Sequence, residues 1–202
     1  MKRVIFRAFG FIAALALFTS CTKAPGNGSI HKVESFYSSV KIEGETVSYT
    51  ENKDGYLNGY GKGGAFVPAL GKYMERQSTT FAKNGENVFN IYFLKFVDNN
   101  PPTKEDIKSV FRIGNYQFGN SSQFAIKEGI EIAYVDENGT EWNTRGDQTG
   151  SFFEVTDHAL NTLDSYTPYT TSGKFSCRLY NQMGESMVVT DGTFKGRTVV
   201  YY

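Results

Sequence analysis

Asp136, Glu137 and Glu141 crowd around the dipeptide Asn138-Gly139. Two carboxylates held about 5 to 9.5 Å apart can cleave a glycosidic bond, and clustered carboxylate oxygens can hold calcium. A solvated hairpin tip needs the same residue types, and the spacing is not that of an EF-hand loop. Asp147 and Glu154 form a second candidate pair for glycoside hydrolysis. The histidines are His31 and His158, the latter next to Asp157. Neighbouring side chains on a strand point to opposite faces, so Asp157 and His158 make no dyad, and His158 reads as a loop or strand-end residue. The run Gly59-Tyr60-Gly61-Lys62-Gly63-Gly64 invites a phosphate-loop reading. Gly63 stands where Ser or Thr is needed, and Phe66-Val67-Pro68 replaces the following helix, so the run reads as a flexible loop. Arg145-Gly146-Asp147, the tripeptide of integrin ligands, reads as a loop in which Gly146 turns the chain into a strand over 151–156. No catalytic, metal or cofactor set emerges.

Phe and Tyr together number thirty. Rings in a β-protein are usually packing, but exposed rings stack on sugars. Tyr56, Tyr60, Phe66, Tyr166 and Tyr169 lie in Gly- or Pro-containing surroundings that read as loops. They are the candidates for lining an exposed ligand groove.

Lys2, Arg3 and Arg7 precede an apolar run from Phe9 to Phe18, followed by Thr19-Ser20-Cys21. The run is about half the roughly 20 residues needed to span a bilayer, and it reads as a cleaved secretory signal peptide over 1–20. Leu17-Phe18-Thr19-Ser20-Cys21 resembles a bacterial lipobox, whose cysteine is lipidated and becomes the mature N-terminus. Acyl chains there, at roughly 0.8 kcal/mol per buried methylene, would hold the chain on a membrane. The remaining cysteine, Cys177, then has no partner, which excludes an internal disulfide. Residues 21–32, with Pro25, Gly26, Asn27, Gly28 and Ser29, read as a tether. No acidic run follows Cys21. Such a run resembles the surface-export signal of Bacteroidota lipoproteins, so the expected location is the outer membrane, facing the periplasm.

Loss of residues 1–20 leaves 18 basic against 21 acidic residues, a net charge of −3. That gives no basic field for nucleic acid. Residues 33–202 suit one domain. Their glycine-punctuated alternation of apolar and polar residues predicts strands. Phe36, Val40 and Ile42 share a face before a turn at Glu43-Gly44, and 87–97 reads as a central strand buried on both sides. The one helix follows Pro101-Pro102, with Thr103 as cap, Glu105 and Asp106 in the first turn, Ile107, Val110 and Phe111 on its apolar face, and Arg112 and Gly114 closing it. It is too short to stand alone and should plug one end of a β core. A two-residue turn at Asn138-Gly139 sets Val135 against Trp142. A three-residue loop at Gln182-Met183-Gly184 sets Leu179 against Met187 and Cys177 against Val189, making Cys177 a core residue. The last strand, 193–202, should pin the terminus in a sheet.

GDQTGSFFEVT (146–156), followed by GKFSCRLYN and VVTDGTFKG, resembles small Bacteroidota envelope lipoproteins. The resemblance implies a β-rich fold and supplies no catalytic residues. The expected architecture is all-β with one short helix, a single jelly-roll-like β-sandwich, or alternatively a closed lipocalin-like barrel. The expected role is a non-catalytic binding module whose partners are the membrane, through Cys21, and a glycan or an envelope protein. A carboxylate-dependent glycoside hydrolase and a barrel for an apolar ligand are the competing readings.

Overall fold

A computed structural model describes residues 35–99, 101–122, 125–160 and 169–198. Their strands are β1 (Tyr37–Ile42), β2 (Glu45–Thr50), β3 (Tyr56–Val67), β4 (Lys72–Lys83), β5 (Glu86–Val97), β6 (Gly114–Tyr116), β7 (Gly129–Val135), β8 (Glu141–Asn143), β9 (Phe152–Leu160), β10 (Tyr169–Tyr180) and β11 (Ser186–Thr198). The helix α1 (Lys104–Val110) lies between β5 and β6. All eleven strands join one antiparallel sheet in the order β2-β1-β11-β10-β8-β7-β5-β4-β3, with β9 on β10 and β6 on β9.

The class is therefore all-β with one short α-helix among the described residues, as the sequence predicts. The two layers of the sandwich come from a single sheet that curls until its arms face each other, making a half-barrel. The N–H of Arg197 on β11 donates to Asn58 Oδ1 on β3 at 2.9 Å. A Cβ at Gly196 would overlap Thr79 of β4, so glycine is what permits this approach. Phe81, Phe89, Ile91 and Phe93 from one arm meet Phe153, Phe175 and Phe194 from the other, all almost fully buried. No ladder joins β2 to β3 among the described residues, so the curl stops short of a closed barrel.

Several local rules act as expected. Glu43 and Gly44 both take positive φ, as a two-residue hairpin turn requires, and Val40 pairs with Val47. β5 lies between β4 and β7, with Phe89, Ile91 and Phe93 buried on one face and Asn90 and Leu94 on the other. Thr103 caps α1 in a capping box with Asp106, and Phe111 packs 4.9 Å from Phe93, plugging the core. The helix ends at Phe111 rather than at Gly114, which opens β6 instead.

Three expectations are corrected. The glycine run 59–64 is no loop but part of β3, an edge strand. A Cβ at Gly64 would collide with the Tyr73 ring, so these small residues make room for side chains of β4. At the Asn138-Gly139 hairpin, only Gly139 has positive φ, and Asp136 N–H bonds Thr140 O across a three-residue loop. Trp142 consequently faces Tyr134 and not Val135. The cause is Asp136, whose carboxylate accepts from the N–H groups of Asn138 and Thr140 and from Trp142 Nε1, all at 2.9 Å. Finally, 145–147 does lie in the loop between β8 and β9, but the turn into β9 is made at 148–151, with Gly150 left-handed, and not at Gly146, whose bare Cα lets the Tyr180 ring lie against the backbone.

The hairpin over β10 and β11 matches its predicted register: Cys177 pairs with Val189, Leu179 pairs with Met187, and Gly184 is left-handed. Cys177 is 2% exposed, and burial pushes its thiol well above the usual range. In a chain carrying Cys21→Ser, where Cys177 is the sole thiol, a thiol reagent should react only on unfolding. Cys177→Ser should destabilise by about 1 to 3 kcal/mol in urea titrations; rapid labelling of the native chain would contradict this packing.

Candidate functional site

Directly opposed residues in an antiparallel sheet share a face, so register shows which side chains converge. On the outer face of the β4-β5-β7-β8 arm, Ser78 opposes Tyr92 and Tyr92 opposes Glu131, while Asn90 opposes Ala133 and Ala133 opposes Asn143. Arg76 and Glu141 belong to the same face, at Leu94 and Val135. The chain between β6 and β7 crosses this side, where Ile126 packs on Val67, Met74 and Leu94 in a small second core.

Glu131 is the electrostatic centre. It is 1% exposed, and both of its oxygens are engaged. Oε1 accepts from Arg145 Nη2 at 2.7 Å and Nε at 3.1 Å, and Oε2 accepts from Ser121 N–H at 2.7 Å. Arg145 Nη2 also reaches Ser121 Oγ at 3.2 Å. A buried carboxylate without such partners is strongly unfavourable, so this ion pair fixes the crossing chain on the sheet. Arg145 is thus a structural cation, a role its place in the tripeptide 145–147 does not suggest.

Beside it lies a hollow of about 280 Å³ lined by Arg76, Asn90, Tyr92, Glu141, Asn143 and Arg145, among others. The Arg76 guanidinium sits 5.4 Å from the centre of the Tyr92 ring. Burial raises the Tyr92 hydroxyl above its ordinary range, while Arg76, Glu131, Arg145 and Glu141 all act on it electrostatically. Thr80 donates to Asn90 Oδ1 at 2.8 Å, and Asn143 Oδ1 accepts from Arg145 N–H at 3.0 Å. These amides are therefore oriented before any ligand arrives. Two guanidiniums and two carboxylates cancel, leaving a neutral cup of planar hydrogen-bonding groups beside an aromatic ring. No family model, curated protein or solved structure matches the chain.

The residues singled out from sequence are dispersed. Asp136 is committed to its turn, Glu137 is exposed at the tip, and only Glu141 of that trio lines the hollow. Asp147 accepts from Thr149, while Glu154 pairs with Lys174 at 3.0 Å. Tyr56, Tyr60 and Phe66 lie on one strand, β3, at even spacing and hence on one face; they are not loop residues. Tyr56 packs edge-on to Tyr49, and Phe66 is exposed. Tyr169 belongs to β10, where it stacks on His158. Cys21, His31 and Tyr166 fall outside the described residues. Arg76, Asn90, Tyr92, Glu131 and Asn143 are not candidates from sequence. The available signal is a charge between Ile130 and Ile132 in an otherwise apolar strand.

His158 lies within β9, not at a strand end, opposite Thr171. Its ring stacks between Phe111 and Tyr169, both 5.0 Å away, and Nδ1 contacts Thr171 Oγ1 at 2.8 Å, which in turn contacts Thr198 Oγ1 at 2.9 Å. Burial holds the imidazole below its ordinary range against a smaller opposing effect of Asp157. Glu75, on the inner face of β4, is buried with Gln77 Nε2 donating to it, and burial raises its carboxyl.

Two outcomes follow. Arg145→Met should strand the Glu131 charge and destabilise by about 3 kcal/mol, whereas adding Glu131→Leu should recover most of that loss. Urea unfolding of the single and double variants checks this, and a strictly additive double variant would contradict the pairing. His158 binds a proton less readily folded than unfolded, so its contribution to stability is present above the ordinary imidazole range and is lost as pH falls through it. His158→Phe should flatten that fall. Glu75, with its carboxyl raised by burial, works with the opposite sign from the ordinary carboxylate range upward, so the difference between parent and variant is the quantity to measure.

Proposed function

We propose that the chain is a lipid-anchored, non-catalytic binding module of a bacterial envelope, and that the hollow on the outer face takes a neutral glycan. The observation carrying this reading is the convergence of two guanidiniums, two carboxylates, two amides and a phenol, without net charge, around one hollow of about 280 Å³. Hydroxyl groups in pairs are matched by planar donors and acceptors held in fixed positions. Cancelling charges favour an uncharged polyol over a charged ligand, and prior orientation of the side chains lowers the entropic cost of binding. The lipobox resemblance and the glycine-rich tether support attachment through Cys21. The resemblance of 146–156 and the strands after it supports a Bacteroidota envelope lipoprotein at the periplasmic face of the outer membrane.

A glycan array probed with the chain carrying Cys21→Ser should give a defined set of neutral saccharides. Arg76→Ala and Asn143→Ala should each weaken binding about tenfold, the scale of one lost hydrogen bond to a charged or oriented group. An array without signal, together with recovery of one specific envelope protein in a pull-down, would replace the glycan with a protein partner. For the anchor, Cys21→Ser should abolish lipid labelling and move the chain to the soluble fraction; persistent membrane association would exclude attachment through that cysteine.

A further inference from the structure

A second opening, away from the hollow, has different chemistry. β7 pairs with β5 only as far as Leu94, opposite Gly129. Beyond that point the edge of β5 faces a cleft of about 520 Å³ between α1 and residues 126–129. Leu94, Phe96, Val110 and Ile126 give it an apolar lining. Lys95, Arg112 and Lys127 stand around it, against one carboxylate, Glu128. Glu128 is already engaged, since its Oε1 accepts from Phe96 N–H at 2.5 Å. Lys95 Nζ donates to Ser109 O at the end of α1 at 3.1 Å, which directs this cation along the wall of the cleft. The Arg112 guanidinium lies 5.3 Å from the Tyr116 ring centre, and the Tyr116 hydroxyl bonds the backbone of Val110 and Arg112.

An apolar cleft with three cations and one committed anion selects a ligand that is apolar over most of its length and negative at one end. We infer that this cleft binds an amphiphile with a single anionic head, carboxylate or phosphate, and an alkyl tail. The tail covers the half-buried Phe96 and Ile126, and the head meets Arg112 and Lys127, both exposed at the rim. Burial of the alkyl chain gives the main affinity, at roughly 25 cal/mol per Å² of apolar surface, and the cations select the head. The site does not depend on the glycan reading, since the two openings share none of their lining residues.

The test is calorimetric titration of the chain carrying Cys21→Ser with laurate, dodecyl phosphate, dodecanol and inorganic phosphate, below the micellar range. Laurate or dodecyl phosphate should bind at least about tenfold more tightly than dodecanol, and inorganic phosphate should not bind measurably. Preference for laurate identifies a fatty acid as the natural class, and preference for dodecyl phosphate identifies a phospholipid-type head. Arg112→Glu with Lys127→Glu, both exposed and so tolerable to the fold, should abolish that preference while leaving dodecanol binding unchanged. Ser109→Trp, which fills the cleft from α1, should weaken every alkyl ligand; thermal melts of each variant confirm folding. Equal affinity for laurate and dodecanol, phosphate binding without a tail, no binding of either amphiphile, or variants that bind as the parent does would overturn the proposal.

Discussion

The interlock of aromatic rings between the two arms of the curled sheet is the constraint on which the rest depends. Phe89 stacks on Phe175, Phe175 on Phe153, and Phe93 meets Phe153 edge-on, with centres 6.1, 5.7 and 6.1 Å apart. Rings of this size fill the space between the arms, and their burial drives the curl. Because the interior of this part of the sheet is packed with side chains, the hollow on the outer face of β4-β5-β7-β8 and the cleft beside α1, where β5 outruns its neighbour, both lie outside it.

Burying polar groups on that outer face then creates the second demand. The chain between β6 and β7 lies across the sheet and covers Glu131, and the carboxylate has to be paired where water no longer reaches it. Arg145 and Ser121 satisfy it, and the Arg145 N–H in turn holds the neighbouring Asn143 amide. The residue that pairs with the buried carboxylate thus also orients one amide of the hollow, while Thr80 orients the other. Glycines act similarly at the backbone level: Gly196 admits Thr79 where the arms close, and Gly64 admits the Tyr73 ring on the edge strand.

The relation between sequence and structure differs from one element to the next. Thr103 and Asp106 are near neighbours in the chain, so the helix start can be read directly. Gly184 likewise sets the β10-β11 register, because a left-handed glycine in a three-residue loop leaves Cys177 one partner. Trp142 escapes such a reading because the Asp136 carboxylate competes for the turn N–H groups and lengthens the loop by one residue. The glycines of 59–64 read as a loop only while the strand beside them is unknown.

Alternation, or residues close along the chain, suffices for the all-β class, the short helix after Pro101-Pro102, the turns at Glu43-Gly44 and 182–184, and the core position of Cys177. The sequence also carried the expectation of a lipidated Cys21. The pairing of Glu131 with Arg145, the grouping of Arg76, Asn90, Tyr92 and Asn143 around one hollow, and the stacking of His158 between Phe111 and Tyr169 arise only once the sheet has folded. Those side chains come from different strands and from the chain crossing them. Which of them meet depends on sheet order and curl, which the packing of distant rings sets and no local pattern records.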